Sequence, residues 1–221
     1  IIKEIYEVGL PSIIMQSIGS VMTIGMNTIL ITFSATAVAV FGIYFKLQSF
    51  IFLPVFGLTA AMISIVGFNY GARNKERVAR AIRHALLIAV GVMILGLLIF
   101  QTMPTLLLRL FDASPSMLTI GTRALRIISI HFPLAGVAII LSSSFQAIGK
   151  GLYSLVLSIV RQLGVLLPAA YLLARLWGLD AVWFTFFASE VVSLTLAIIF
   201  FVRIYRREIA TLEQPLIPNQ G

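Results

Sequence analysis

Long uninterrupted stretches of apolar residues constrain this chain more than any other feature of its sequence. Each stretch is long enough to cross the hydrocarbon core of a bilayer as a helix, which takes about 20 residues. Their apolar residues are continuous, unlike the residue-by-residue alternation of strands in a membrane barrel. We therefore predict an all-α, polytopic membrane protein, one bundle of six transmembrane helices, with approximate spans at 9–33, 36–68, 85–103, 117–144, 152–174 and 181–202.

The composition agrees with this class of protein. Only 11% of the 221 residues are charged and 60% are hydrophobic, whereas a soluble domain carries roughly 25% charged residues. The formal net charge of +8 is typical of many nucleic-acid binders. Here, however, the cations lie between apolar runs rather than among aromatic residues on a polar face, so we expect no nucleic-acid partner. The first residue is Ile1, which leads us to expect a fragment or a processed chain.

Lysine and arginine in the connections predict the orientation of the bundle, because cytoplasmic loops carry the excess of these residues. The connection after the second run holds the densest cluster, between Arg73 and Arg83. With this connection in the cytoplasm, ten of these residues lie on the cytoplasmic side and four on the other. We therefore expect a multi-pass protein of the cytoplasmic membrane, with both termini inside and a frayed cytoplasmic tail at 208–221.

Two charged residues in the last two runs stand out, because ionisable groups inside a membrane are costly and mark transport paths or proton relays. Arg161 and Glu190 each lie about nine residues from an end of their run, which places both about 14 Å deep at 1.5 Å per residue. Consecutive runs with a short connection form antiparallel neighbours, so we predict an Arg161–Glu190 ion pair. Two roles are open: a bridge that holds two helices in register, or a group that responds to the contents of a cavity.

Further polar residues share the helix faces of this pair. Ser158 and Ser193 are each three residues away from one of its members, which is the spacing of one helix face. Lys46 lies inside the second run, where its protonation would depend on nearby anions. Two glutamines in these runs fit either a cavity lining or hydrogen bonds between helices. The predicted substrate and ion cavity consists of Lys46, Gln48, Ser158, Arg161, Gln162, Glu190 and Ser193.

Prolines inside the runs predict bends, because proline lacks a backbone N–H and clashes with the preceding turn. The candidate hinges are Pro54, Pro133 and Pro168. The alternative is that each proline makes a simple packing kink, which helix bundles in membranes tolerate well.

No set of catalytic residues can be assembled from this sequence. It contains no cysteine and only two histidines, which are isolated, and its acidic residues are scattered. Neither a catalytic triad nor a metal cluster can be built from such residues. We therefore expect neither an enzyme nor a metal site.

Five segments match a known family of membrane proteins in their order and spacing. They are GIYFKLQSFIFLPVFG at 42–57, GFNYGARNKERVARA at 67–81, FQAIGKG at 145–151, and the stretches 161–168 and 182–190. They resemble, respectively, the second helix of a lobe, the basic loop after it, the loop after the fourth helix and the last two helices of multidrug and toxic compound extrusion (MATE) transporters. The resemblance covers nearly the whole chain and points to the C-terminal lobe.

This resemblance implies half of a secondary antiporter that exports amphipathic or cationic drugs and toxic compounds in exchange for H⁺ or Na⁺, with no other cofactor. It also implies two six-helix lobes around a cavity that opens alternately to either side. The expected partners are the lipid bilayer, a small amphipathic substrate, and an N-terminal six-helix lobe on the same polypeptide or on a second chain. Two alternatives remain open: a lipid-linked oligosaccharide flippase of the same superfamily, and a truncated membrane partner that does not transport.

Overall fold

Helices joined by short turns make up the regular structure of this chain. The computed structural model describes the backbone of residues 2–212 and the side chains of residues 13–212, and no strand occurs within that range. Within these described residues, five helices are long and apolar enough to cross a membrane, and the number of spans is six when one bent pair counts as a single span. The predicted all-α, polytopic class is confirmed. In chain order the elements are α1 (Ile2–Leu30), α2 (Ala35–Gly71), α3 (Lys75–Thr102), α4 (Pro104–Arg109), α5 (Pro115–Ser129), α6 (Phe132–Ala147), α7 (Gly151–Ile159), the π-helical segment π1 (Val160–Leu166), α8 (Leu167–Trp177), α9 (Leu179–Val182), α10 (Thr185–Ile204) and the π-helical segment π2 (Tyr205–Ile209).

Side-chain caps determine where two of the long helices begin. The hydroxyl oxygen of Ser34 accepts a hydrogen bond from the backbone N–H of Ala37 at 3.0 Å, at the start of α2. The carboxamide oxygen of Asn74 accepts one from the N–H of Arg77 at 3.1 Å, at the start of α3. Such caps satisfy backbone donors that the first helical turn leaves free. Polar residues between apolar runs therefore define the turns that reverse the chain.

The longest helix, α2, has 37 residues and contains Pro54 without a break. At 1.5 Å per residue it extends for about 55 Å, well beyond the thickness of a hydrocarbon core of about 30 Å. It packs against α3, α5 and α6. The proposed role of Pro54 as a hinge stays a prediction.

The fourth predicted span consists of two helices rather than one. The axes of α5 and α6 differ in direction by 48°. Ile130 and His131 lie between them, and Pro133 lies in the first turn of α6. Because proline provides no N–H to the preceding turn, it accounts for the break at this point. A bend is thus present at the candidate hinge Pro133, and movement about it stays a prediction.

Polar contacts link several elements at one end of the bundle. The ammonium of Lys150 lies 3.1 Å from Oε1 of Glu208, and the hydroxyl of Tyr70 donates to Oε2 at 3.1 Å. The ammonium of Lys75 donates to the carbonyl oxygen of Ala210 at 3.3 Å. The hydrogen bond to Glu208 raises the pKa of the Lys150 ammonium above its ordinary value. We call this end, where α2, α3, α7 and π2 meet, the basic end.

The opposite end contains the turns that follow α1, α3 and α8. There the guanidinium of Arg123 pairs with Asp180 at 3.1 Å, and both side chains are exposed. At the basic end, by contrast, helical structure extends through Ile209. The predicted tail 208–221 therefore begins inside π2, and residues 213–221 lie outside the described residues.

Close packing of α3 against α6 depends on Gly136. A Cβ atom at this position would lie 2.9 Å from Cγ of Met93 and 3.4 Å from the backbone oxygen of Ala89. We expect Gly136→Val to lower the free energy of unfolding by about 1–3 kcal/mol through overpacking, measured by thermal unfolding of the purified protein in detergent. Gly91→Val is the matched control, because a Cβ there meets no described atom within 4 Å. Equal losses in both variants would contradict this packing.

Candidate functional site

Arg161 and Glu190 form an ion pair between π1 and α10. The distance from Nη1 of Arg161 to Oε2 of Glu190 is 3.2 Å. The Glu190 side chain is only 3% exposed, whereas that of Arg161 is 34% exposed. The pair predicted from the sequence is therefore present. A carboxylate buried this deeply in a membrane protein is stable in its charged form only while a cation accompanies it.

One oxygen of the Glu190 carboxylate has no partner. Oε1 is buried and accepts no hydrogen bond from any described residue. A charged carboxylate has acceptor capacity on both oxygens, and a buried acceptor without a donor costs about 1–3 kcal/mol, or more when it is charged. The free oxygen is therefore an available acceptor for a proton or a small cation.

A widened helical turn carries Arg161. In π1 the backbone N–H of Leu167 donates to the carbonyl oxygen of Gln162, five residues earlier. Pro168 follows directly in the first turn of α8. Because proline has no N–H and its ring crowds the preceding turn, a wider turn accommodates it, and π-helical turns are frequent at functional sites. The candidate hinge Pro168 thus lies where the helix changes geometry, and its movement stays a prediction.

A cleft of about 280 Å³ with both polar and apolar walls lies on the basic-end side of the ion pair. It is formed by α2, α6, α7 and α10, and its walls include the apolar side chains of Phe56, Ile63 and Leu157. Hydroxyl groups dominate its polar surface, so we call it the serine cleft. Its polar lining comprises Thr59, Ser142, Ser143, Gln146, Ser154, Ser158 and Ser193, together with the ion pair.

A second polar cleft, of about 350 Å³, lies on the other side of the ion pair, toward the opposite end. It is formed by α1, α2, π1 and α10 and by the break between α5 and α6. The rings of Phe45 and Phe186 form part of its wall. Three carboxamides reach it, so we call it the amide cleft. Its polar lining comprises Gln16, Ser20, Thr23, Gln48, His131, Gln162 and Ser189, together with the ion pair.

The described residues that line the two clefts have no net formal charge. Among the described residues that line them, only Arg161 and Glu190 carry a formal charge, and these charges cancel. His131 is the other titratable group in the lining, and its Nδ1 lies within hydrogen-bond distance of the carbonyl oxygen of Ile128. Across the described part of the chain, no group of three or more His, Cys, Asp or Glu residues is placed to hold a metal ion.

The structure brings together six of the seven residues predicted to form the cavity. Ser158 and Ser193 line the serine cleft, and Gln48 and Gln162 line the amide cleft, while the ion pair lines both. Lys46 lines neither cleft. Its side chain is exposed, and its ammonium lies 5.8 Å from the ring centre of Phe111, near the opposite end. A role for Lys46 in a cavity shared with a second lobe stays a prediction.

Sequence reasoning did not single out most of the hydroxyl groups in the clefts. The run of serines at 142–144 inside an apolar span was a usable signal, because three adjacent hydroxyls are unusual in a lipid-facing helix. Only two of them face the cleft, since the Ser144 hydroxyl donates to Ile140 in its own helix. Ser154 donates to the carbonyl oxygen of Ser142 at 2.6 Å, which ties α7 to α6 beside the cleft.

Known proteins that are similar to this chain include multidrug exporters. A family model described as MatE matches residues 11–172. The multidrug export protein MepA of Staphylococcus haemolyticus is 25% identical over 88% of this chain and 43% of its own length. The probable multidrug resistance protein NorM of Thermotoga maritima is 26% identical over 90% of this chain and 44% of its own length.

A solved structure shares the same fold. It shows the inward-facing conformation of a multidrug resistance MATE family transporter of the MOP superfamily. The TM-score is 0.84 at 27% sequence identity, and the match covers 96% of this chain and 48% of that one. The present chain therefore spans a little less than half the length of the proteins it matches.

Proposed function

The chain belongs to the MatE family, and on that premise we propose that it forms the C-terminal lobe of an antiporter that exports amphipathic, cationic compounds in exchange for H⁺ or Na⁺. The observation that carries this proposal is Glu190, a buried carboxylate with one oxygen paired to Arg161 and the other without a partner among the described residues. It is one of the residues that line the clefts on either side of the ion pair.

The coupling function follows from the charge of this carboxylate. A buried carboxylate that loses its partner must bind a cation or a proton to stay in the membrane interior. Exchange results when the coupling ion and the exported cation bind the same carboxylate at different times. One of them must leave before the other can bind. Arg161 acts as the positioning residue, since its guanidinium holds Oε2 and leaves Oε1 free.

The clefts are suited to amphipathic substrates. The rings of Phe56, Phe45 and Phe186 line them beside hydroxyl and carboxamide groups. Small-molecule sites typically combine a mainly apolar wall with a few polar groups that fix orientation, and aromatic faces attract organic cations. The proposed flippase alternative needs several cations around its cavity, whereas Arg161 is the only cation that lines these clefts among the described residues.

This lobe needs a second lobe to form the complete transporter that we propose. Because the matched relatives are about twice as long as this chain, we propose an N-terminal six-helix lobe as its partner, on the same polypeptide or on a second chain. The basic end carries most of the lysine and arginine residues outside the membrane, so it faces the cytoplasm under the positive-inside rule. Both termini of this lobe are then cytoplasmic, and the protein resides in the cell membrane.

Transport by the complete protein that contains this chain tests the proposal. We expect proteoliposomes with this protein to move a fluorescent cationic dye when a pH gradient or a Na⁺ gradient is imposed. The two gradients, applied separately, identify the coupling ion. Protein-free liposomes and an ionophore that collapses the gradient are the controls. Folded protein that moves no cationic compound under either gradient would refute the antiporter and leave the truncated, non-transporting partner.

A further inference from the structure

A shallow groove of about 450 Å³ lies on the outer surface of α10 and π2, apart from the clefts of the candidate site. Its apolar part consists of Ile198, Ile199 and Val202, whose exposed fractions lie between 42% and 54%. Its polar part consists of cations alone. We call this feature the arginine groove, and its cations are Arg203, Arg206 and Arg207.

The arginine groove is apolar at one end and positively charged at the other. Along the chain the apolar residues come first and the arginines follow, so the groove runs from the apolar part of α10 to the basic end. Ile199, Val202 and Arg206 are separated by three and four residues, which is the spacing of one helix face. Arginines near the end of a membrane helix extend their charged groups to the headgroup region. A molecule in the groove therefore meets hydrocarbon surface and cations in that order.

The positive charge of the groove is not neutralised by the nearest carboxylate. Glu208 follows Arg207 directly in sequence, but its two oxygens contact Lys150 and Tyr70, each at 3.1 Å. No acidic residue lines the groove. Among the described residues, the ion pairs include none of its three arginines. Three cations are thus available on this surface for an external anion.

The π-helical segment π2 separates these two sets of contacts. Its backbone N–H of Ala210 donates to the carbonyl oxygen of Tyr205, five residues earlier. Such wide turns are rare and occur frequently at functional sites. Within this one turn, Arg206 and Arg207 line the outer groove, while Glu208 contacts α2 and the turn before α7. The turn therefore has an inner face bound to the bundle and an outer face that presents cations.

An anionic phospholipid matches this surface in both charge and order. A guanidinium binds a phosphate group through two parallel N–H donors, and basic pockets at the cytoplasmic side of membrane helices bind anionic headgroups. The acyl chains of the same molecule extend into the hydrocarbon, where the apolar part of the groove lies. A soluble anion would leave that apolar part without a partner. A zwitterionic lipid has no net charge, so it gains less from three cations.

We propose that the arginine groove is a binding site for one anionic phospholipid, such as phosphatidylglycerol. The three guanidiniums hold its phosphate, and one acyl chain lies along the apolar part of the groove. In the proposed orientation, with the basic end in the cytoplasm, this lipid belongs to the cytoplasmic leaflet. It secures π2 from the outside, while Glu208 secures the same turn to the bundle from the inside. The site depends on neither the exported compound nor the coupling ion.

Fluorescence quenching by brominated lipids tests for this site. The chain contains no cysteine, so Thr195→Cys in the complete protein, with any cysteines outside this chain replaced, accepts a single fluorophore. Thr195 lies one helical turn before the groove and does not line it. The protein is placed in vesicles of phosphatidylcholine that contain phosphatidylglycerol as the minority lipid, and parallel samples carry bromine on the acyl chains of one lipid or the other. Leu87→Cys is the matched control position, an exposed apolar residue of α3 outside the groove.

We expect brominated phosphatidylglycerol to quench the Thr195→Cys label more strongly than brominated phosphatidylcholine, although it is the less abundant lipid. The Leu87→Cys label should show no such preference. Replacing the three groove arginines with glutamine should reduce the preference about tenfold or more, because each cation near an anionic lipid contributes about a fivefold effect. A control triple variant removes the same charge from exposed positions of α3 at the basic end and should keep the preference; its changes are Arg77→Gln, Arg80→Gln and Arg83→Gln.

Three results would overturn the lipid site. The first is equal quenching by the two lipids at Thr195→Cys. The second is an equal loss of preference in both triple variants, because it would indicate a general attraction to the basic end. The third is the absence of quenching by either lipid in folded protein, because it would mean that a second lobe or a second copy covers the groove. A free phosphate ion carries no acyl chain, so it cannot produce the signal.

Dye export measured on the same vesicles reports on the proposed function separately. Folded protein that prefers phosphatidylglycerol at Thr195→Cys but exports nothing would support the lipid site and contradict the antiporter. Export that persists without any lipid preference would disprove the lipid site and leave the antiporter intact.

Discussion

Glu190→Gln is expected to reduce gradient-driven export by about two orders of magnitude, the scale at which loss of a proton-transferring side chain slows enzymes. Glutamine keeps nearly the same size and one oxygen acceptor, so the packing around α10 is preserved. Glutamine carries no negative charge that Arg161, the coupling ion and the substrate could bind in turn. The rate of dye efflux from proteoliposomes, normalised to folded protein, measures the effect.

The matched control for this variant is Glu208→Gln. It makes the same chemical change in the same helical run, but Glu208 is partly exposed and pairs with Lys150 at the basic end. Exposed ion pairs contribute about 0–1 kcal/mol, so this control should retain most of the export rate. A Glu190→Gln protein that exports as fast as the control would exclude Glu190 from coupling.

Arg161→Ala is expected to destabilise the lobe more than any change to a surface charge. Removing the guanidinium leaves the Glu190 carboxylate buried and unpaired, a situation that costs about 3–5 kcal/mol in fully buried pairs. Because Arg161 is about one-third exposed, we expect the lower end of this range. That corresponds to a fall in Tm of roughly 5–10 °C for a chain of this size, measured by thermal unfolding in detergent at neutral pH.

A second substitution identifies the cause of this loss. Arg161→Ala combined with Glu190→Gln removes the stranded charge, so the double variant should recover most of the lost Tm, as expected when a buried charge is the source of the penalty. Arg123→Ala is the control for loss of an arginine, since its pair with Asp180 is exposed on both sides. A double variant as unstable as Arg161→Ala would mean that guanidinium packing, not charge, stabilises this region.

The ion pair was predictable because it follows from short-range rules. Charged residues near the middle of two consecutive apolar runs lie at one depth, and a short connection makes those runs antiparallel neighbours. Arg161 and Glu190 met both conditions, and the structure has them in contact. The segments at 42–57 and 67–81 likewise indicated the family, which the match over residues 11–172 confirms.

Other parts of the site depend on tertiary structure that the sequence does not encode locally. The place of Lys46 within its apolar run does not fix its depth, because α2 is longer than a membrane is thick. No residue pattern marks π1 as distinct from the α-helix around it, apart from the proline that follows. Residues from α2, α6, α7 and α10 line the serine cleft together, and only the assembled bundle shows which hydroxyls face it.

The length of α2 has a mechanical consequence. With an ordinary tilt of about 20°, roughly 21 of its 37 residues cross the hydrocarbon, and the others project from it as a rigid overhang. The tip of the helix therefore lies about 25–30 Å from the midpoint of the rod, so a rotation of about 10° moves it by about 5 Å. A rocking motion of the lobe within the lipid therefore moves the turn that follows α2, which carries Arg73, farther than it moves the middle of the helix.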